Sequence, residues 1–414
     1  MSTATEQVVI VGGGQAGGEC AMQLRKLGFA GPLTIITAEP FAPYRRPPLS
    51  KDYLTGACSR ESLALLPPAK MEQLGIELRA GRRVVHIDRL NHEVQLDDGS
   101  RLSYQHLALT TGGTPRMPAI PGIEAGHVLA LRTIEDADAI GRIATAGKHV
   151  TVIGGGFIGL EVAAVLTRRG VQVTVLEGLP RVLSRVVGPQ VSTFFENLHR
   201  QAGVDVRCGV AVAALEGDPV QAVVLDDGSR IATDAVVVGI GLVPATELAE
   251  AAGLVVDNGI VVDEYARTTD AHIVAAGDCS NHPSALYHRR IRLESVQNAM
   301  DQGRIAAATI MGKLTPYRAV PWFWSDQYHI KLQIAGLSMG HDQTVLRGDP
   351  EQGAFALYYL RDGQLLAADA INRAQDFMFA RKMIGSSVNP AQLEDESVSL
   401  QAMLKETHPA QDTP

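Results

Sequence analysis

The chain has 414 residues, 46% of them hydrophobic and 20% charged, and a net charge of −8. This is enough apolar material for roughly two to four packed domains, with about three expected, and too much for a disordered chain. No apolar run approaches the ~18 residues of a membrane span, and no basic region precedes the first apolar run as in a signal peptide. The acidic balance also disfavours general nucleic-acid binding. The four cysteines, Cys20, Cys58, Cys208 and Cys279, form no close pair. Neither a clustered metal site nor a dithiol redox centre is therefore expected, and a reducing cytoplasm fits.

Val8–Val11 is a short β-branched run, the pattern of a buried parallel strand. Gly12-Gly13-Gly14-Gln15-Ala16-Gly17 follows, and then Cys20, Ala21, Leu24 and Leu27 recur at helical spacing until Gly28. Leu33–Thr37 reads as the next strand, with Glu39 beyond it. Asp97-Asp98-Gly99-Ser100 marks a hairpin, and Leu107–Thr111 a strand that runs into Gly112-Gly113.

The opening layout then returns. His149–Ile153 is a predicted strand, Gly154-Gly155-Gly156-Phe157-Ile158-Gly159 its turn, and Leu160–Arg169 a helix capped by Gly170. Val171–Leu176 is the following strand, and Glu177 closes the unit. Asp226-Asp227-Gly228-Ser229 is a second hairpin, and Ala235–Val238 ends at Gly239. Ile273-Val274 precedes Ala275-Ala276-Gly277-Asp278, and Ser295–Met311 is helix-like. From Pro321 the chain becomes aromatic-rich, with a hairpin at Asp362-Gly363 and a frayed tail expected over His408–Pro414. The expected domains are residues 1–111 and 240–320 for one dinucleotide, 112–239 for another, and 321–414 as an α+β domain.

Both glycine clusters obey GxGxxG, through Gly12, Gly14 and Gly17 and through Gly154, Gly156 and Gly159. Such glycines permit a tight turn and a close backbone approach to a pyrophosphate, which the free N–H groups of the next helix then bind. The bland alternative is two glycine-rich turns, but each lies between a strand and a helix and is followed by a strand and an acid. Glu39 and Glu177 stand near the ~20-residue distance of a ribose-binding carboxylate. At Glu177 a carboxylate would repel a 2′-phosphate, so NADH is expected over NADPH; the alternative is a solvated strand-end acid. Two dinucleotides in one chain suggest FAD with a nicotinamide cofactor. Asp278 could bind a ribityl hydroxyl, although Gly-Asp pairs are commonly simple turns.

Further motifs carry a resemblance. They are Arg46-Pro47-Pro48-Leu49-Ser50-Lys51, Thr111-Gly112-Gly113, Leu131-Arg132-Thr133, Gly154–Glu161, Gly239-Ile240-Gly241, Gly277-Asp278, Glu294-Ser295-Val296 and Pro321-Trp322-Phe323-Trp324-Ser325-Asp326-Gln327. With these the chain resembles the oxygenase-coupled NADH-dependent ferredoxin reductase family, of the putidaredoxin reductase type, over nearly its whole length. The resemblance implies an α/β, glutathione-reductase-like flavoprotein with two dinucleotide-binding domains and an α+β C-terminal domain. It implies electron flow from NADH through FAD, one electron at a time, to a [2Fe–2S] ferredoxin that serves a cytochrome P450 or a ring-hydroxylating oxygenase. No nucleic acid, membrane or metal is expected as a partner, and a monomer is weakly preferred.

By the same resemblance FAD would meet Gly12, Gly14, Ala16, Gly17, Glu39, Arg45, Lys51, Val84, Thr111, Gly112, Arg132, Asp278, Val296 and Trp324. The nicotinamide cofactor would meet Gly154, Gly156, Ile158, Gly159, Glu177 and Gly241. One departure is Ala38, which stands where the family often has its acid, so that Glu39 comes one position late. Lys51 is expected near the isoalloxazine, where it would stabilise negative charge, and Glu161 near the nicotinamide, paired with Lys51. The alternatives are a snorkelling surface lysine and a first-turn helix acid. Arg304 and Trp324 would dock the ferredoxin, against alternatives of a solvated charge and core packing. Pro47–Asp52 contains no cysteine, unlike the corresponding stretch of disulfide-reductase relatives, which argues against thiol substrates. The alternative is a rubredoxin reductase or a dehydroascorbate-type reductase, which shares the fold, so the electron acceptor would separate them. A binding flavoprotein of the apoptosis-inducing-factor type would want more basic surface.

Overall fold

The computed structural model describes residues 6–407; the tail expected at His408–Pro414 lies outside them. The chain divides into two compact units. One holds the residues up to Arg46, then Ser59–Thr114 and Leu242–Ala319; the other holds Pro47–Cys58, Pro115–Gly241 and the chain from Val320 on. Among the described residues no helix is long and apolar enough to cross a membrane.

The first unit is built on a parallel sheet in the order 273–275, 106–109, 8–11, 33–37, 76–80. The Val8–Val11 run is buried throughout, as a strand covered on both faces requires. Helix Gln15–Lys26 packs against helix Val296–Ile310 through small residues, Ala16, Cys20, Ala299, Ala306 and Ala307. Gly303 permits that approach, because a Cβ there would stand 2.6 Å from the Ala16 carbonyl oxygen. A three-stranded antiparallel ribbon, Val84–Asp88, Glu93–Leu96 and Arg101–Ser103, carries the first predicted hairpin.

The second unit repeats this plan. Its parallel sheet runs in the order 205–208, 172–177, 149–153, 235–238, 128–130. The matching ribbon is Val212–Glu216, Ala222–Leu225 and Arg230–Ala232. In the first unit the edge strand beside 106–109 arrives late in the chain, at Ile273–Ala275; here the strand beside 235–238 comes early, at Val128–Ala130. The same unit contains a five-stranded antiparallel sheet in the order 322–327, 330–336, 364–371, 354–361, 343–349, covered by helix Ala374–Met383.

One boundary moves. The helix expected at Leu160–Arg169 spans Phe157–Arg168, so it starts inside the glycine motif. Glu161 is thereby a second-turn residue, not the first-turn acid of the alternative reading, and it is only 2% exposed.

Candidate functional site

The two glycine turns have nearly the same geometry. Gly12 and Gly154 adopt φ of +117° and +109°, where a side chain is strained. A Cβ on Gly17 would stand 2.1 Å from the Gly12 carbonyl oxygen, and one on Gly159 would stand 2.1 Å from that of Gly154. These glycines let each helix start against its own turn. Around Gly14 a Cβ would meet nothing within 4 Å, and at Gly156 only the Gly239 oxygen at 3.7 Å. Both helices begin without a side-chain cap and without an acid in the first turn. Unfilled space over a bare helix N-terminus suits a pyrophosphate, so the residues fit a dinucleotide at both places. Ile158, 43% exposed, sits in the first turn of the second helix.

The two acids behave differently. The Glu177 carboxylate accepts from the Gly155 N–H and the Leu179 N–H, both at 2.8 Å. It is thus held against its own glycine turn. Glu39 instead accepts from Tyr44 Oη on one oxygen and from Arg46 Nη2 on the other, at 2.5 Å. The one-residue delay after Ala38 accompanies a carboxylate tied to the following loop.

Thr110–Gly112 and Gly277-Asp278 follow the carboxyl ends of strands 106–109 and 273–275. Thr110 Oγ1 donates to the Gly12 carbonyl at 2.9 Å, and Thr111 Oγ1 to the Ala245 carbonyl at 2.7 Å. Gly112 has φ +67°. Gly277, at φ +89°, would place a Cβ 3.0 Å from Ala16 Cβ, so the Gly277-Asp278 turn abuts the first glycine helix. Gln302 fixes that turn. Its Oε1 accepts from Gly277 N–H at 2.8 Å and Ser280 Oγ at 2.7 Å, and its Nε2 donates to His282 Nδ1 at 2.9 Å. Burial pushes His282 down to about 4. Val296 opens the helix whose N-cap is Ser295. Val84 is a buried ribbon residue paired with Leu96. Arg45 donates to the Ser62 carbonyl at 2.5 Å.

In the second unit the turn Pro47–Ser50 and the short helix Asp52–Thr55 deliver Lys51 to Glu161. Lys51 Nζ lies 2.6 Å from Glu161 Oε2. Ser50 Oγ donates to the same oxygen at 2.5 Å, and Ser325 Oγ donates to Oε1 at 2.6 Å. A lysine 17% exposed and bonded to a buried carboxylate is not a snorkelling surface group. Ser50 and Ser325 lie inside the Arg46–Lys51 and Pro321–Gln327 motifs, but nothing in those motifs marks them as partners of Glu161. Gly241, at φ +113°, accepts from the Arg116 N–H at 2.9 Å. The Arg132 N–H donates to Asp136 Oδ2 at 2.9 Å beside a helix cap. Trp324 is half-buried, its ring centroid 5.7 Å from that of Trp322.

Arg304, in the first unit, is half-exposed, but it is not simply solvated. Its Nε lies 3.3 Å from Glu19 and its Nη1 3.6 Å from Asp301. Of the thiols, burial pushes Cys20 up to about 12 and Cys208 to about 11, against thiolate chemistry. Among the described residues no group of His, Cys, Asp and Glu could hold a metal ion.

Two bare glycine cradles on two parallel sheets define a protein that binds two dinucleotides, and a lysine bonded to a buried glutamate lies near the start of the second glycine helix. Residues 6–303 match the family described as pyridine nucleotide-disulphide oxidoreductase, and residues 322–404 match the reductase C-terminal domain. The chain belongs to the pyridine nucleotide-disulphide oxidoreductase family. It is 45% identical over 410 residues to the putidaredoxin reductase CamA of Pseudomonas putida, covering 97% of each chain. It is 43% identical to the rhodocoxin reductase of Rhodococcus erythropolis, covering 97% of this chain and 96% of that one. Among solved structures it is similar to the covalent putidaredoxin reductase–putidaredoxin complex, with TM-score 0.94, 43% identity and coverage of 98% and 99%. The expected mixed α/β architecture with a C-terminal domain is borne out.

Proposed function

We propose that the chain is an FAD-dependent NADH:ferredoxin reductase, acting in the cytoplasm for a cytochrome P450 or a ring-hydroxylating oxygenase. The observation that carries this reading is the pair of bare glycine cradles, one for each dinucleotide. The relatives support the acceptor, since those matched over their whole length are named as reductases of redoxins. In this reading residues 1–111 and 240–320 hold FAD, 112–239 hold NADH, and 321–414 form the C-terminal domain.

Bound FAD would accept a hydride from NADH and release its two electrons singly, with one proton. The chain's own residues bind and orient. Gly14 and Gly156 leave room for the pyrophosphates, and the helix N-termini neutralise part of their charge. Glu177 accepts from the ribose hydroxyls of NADH and repels a 2′-phosphate. Asp278, on the turn that Gln302 secures, accepts from the ribityl chain. Lys51 supplies a fixed positive charge where negative charge develops, and Glu161 positions both Lys51 and the carboxamide. Ferredoxin docks on Trp324 and Arg304, the first contributing buried area and the second long-range attraction.

The test uses the FAD-loaded protein, NADH and a [2Fe–2S] ferredoxin, with ferricyanide as a small control acceptor. Both acceptors should be reduced by the native protein. Arg304→Glu should slow only the ferredoxin reaction, and less so as salt rises. Trp324→Ala should slow it at every salt concentration. Loss of ferricyanide reduction in parallel would mean that these residues serve the flavin or the fold.

A further inference from the structure

Glu161 is the end of a longer buried chain of polar groups. Its Oε1 accepts from Ser325 Oγ. Ser325 Oγ in turn accepts from Gln327 Nε2 at 3.1 Å. Gln327 Oε1 lies 2.8 Å from His199 Nε2, and His199 Nδ1 lies 3.3 Å from Tyr328 Oη. Ser325, Gln327 and His199 are all 0% exposed. His199 comes from helix Pro189–Gln201, and the other two from strand Trp322–Gln327. All of these residues belong to the second unit.

Hydrogen counting gives this chain a direction. Paired with Lys51, Glu161 only accepts. A serine hydroxyl has one hydrogen, and Ser325 commits it to Glu161. Ser325 must therefore accept from Gln327, which turns the amide NH2 toward Ser325 and its oxygen toward His199. His199 must then carry its proton on Nε2, leaving Nδ1 free to accept from Tyr328. Burial, which lowers the His199 pKa, favours this neutral form. A reversed amide would require the Ser325 hydrogen for Gln327 and would strip Glu161 Oε1 of its donor.

We propose that His199, acting through Gln327 and Ser325, is a positioning residue for Glu161. It orients the amide so that the hydroxyl of Ser325 always donates to Oε1, which leaves Oε2 to Lys51 and Ser50. The carboxylate is then held from both sides in one rotamer. This rests on the reading that Lys51 and Glu161 serve hydride transfer.

The experiment has two readouts on the FAD-loaded protein. In histidine-labelled protein, nitrogen NMR should find the neutral His199 ring protonated at Nε2; protonation at Nδ1 overturns the proposal. In rapid mixing with NADH, bleaching of the flavin absorbance should be slowed about threefold to tenfold by His199→Leu, the worth of one neutral hydrogen bond. His199→Gln, which keeps an N–H donor, should recover most of that loss. In a Glu161→Gln background the His199→Leu change should alter the rate by less than about twofold, as for sites that no longer interact. An equal loss in both backgrounds means that His199 acts through the fold, and overturns the proposal. Should His199→Leu fail to fold, Gln327→Met gives the same comparison. If Glu161→Gln alone leaves the rate unchanged, the hydride-transfer reading falls, and this proposal with it. If Glu161→Gln is slow and the chain variants are silent, only this proposal falls.

Discussion

The two glycine cradles are near copies in backbone and unlike in their acids. Glu177 bonds back to the N–H of Gly155, so the turn and its carboxylate form one rigid object. Glu39 is spent on Arg46 and Tyr44. The first turn is instead held by Thr110 and flanked by the Gly277-Asp278 loop, which a buried network of Gln302, Ser280 and His282 supports. One fold has thus been braced in two ways. The second turn is braced by an acid of its own strand–turn–helix–strand unit, the first by chain that arrives much later in the sequence.

The sharpest way to break this comparison is to spoil each cradle in turn. Gly17→Ala and Gly159→Ala both force a Cβ within 2.1 Å of a carbonyl oxygen. Gly17→Ala should yield protein with little or no FAD, seen as lost yellow colour after purification. Gly159→Ala should stay yellow while KM for NADH rises, by about a hundredfold or more if the pyrophosphate is displaced by an ångström. Identical behaviour of the two variants would dissolve the assignment of one cradle to each cofactor.

A smaller effect separates the acids. Glu177→Arg should move the NADH-to-NADPH ratio of kcat/KM by about tenfold to a hundredfold, by removing a repulsion and adding a charge-assisted contact to the 2′-phosphate. Glu39→Gln should change FAD retention only a few-fold, about the worth of one hydrogen bond, because its carboxylate already serves Arg46 and Tyr44. Equal use of both cofactors by the native protein would remove Glu177 from the ribose.

The least effect at neutral pH, and a distinct one in acid, concerns His282. Its folded pKa lies near 4, below the unfolded value of about 6.5. A depressed pKa contributes stability that is complete above about 6.5 and declines as pH falls toward 4. Between pH 7 and pH 5 this amounts to about 2 kcal/mol against the folded first unit. Melting temperature measured against pH should show that decline. His282→Asn removes the titration and keeps an acceptor for Gln302, so it should flatten the curve.

The legible parts of this molecule are its local ones. Strand Val8–Val11, both glycine turns and both Asp-Asp-Gly-Ser hairpins follow from short patterns, and the structure has them at those residues. The second helix starts three residues before the predicted Leu160, because tertiary packing overrides the low helix propensity of the glycines around Phe157 and Ile158. The pairing of Lys51 with Glu161 came through resemblance, since nothing in their spacing brings positions 51 and 161 together. His199 gave no signal at all. On an amphipathic helix it looks like any polar residue, and only the strand carrying Gln327 makes it a donor to a buried amide. The bond of Arg304 to Glu19 gives no local signal either, since it joins two helices that are distant in sequence.

The unequal origin of the edge strands sets an order of assembly during synthesis. The sheet of the second unit draws on residues 128–238, which leave the ribosome in one stretch. In the first unit Leu107 waits for Ile273, and helix Gln15–Lys26 for its partner Val296–Ile310. The earliest part of the chain thus closes its core only after the 128–238 sheet is complete. Until then it exposes the 106–109 strand edge and the apolar helix face that Ala299 and Ala306 will cover. A truncation after residue 241 should therefore leave the N-terminal segment open to proteases while residues 128–238 can still pair.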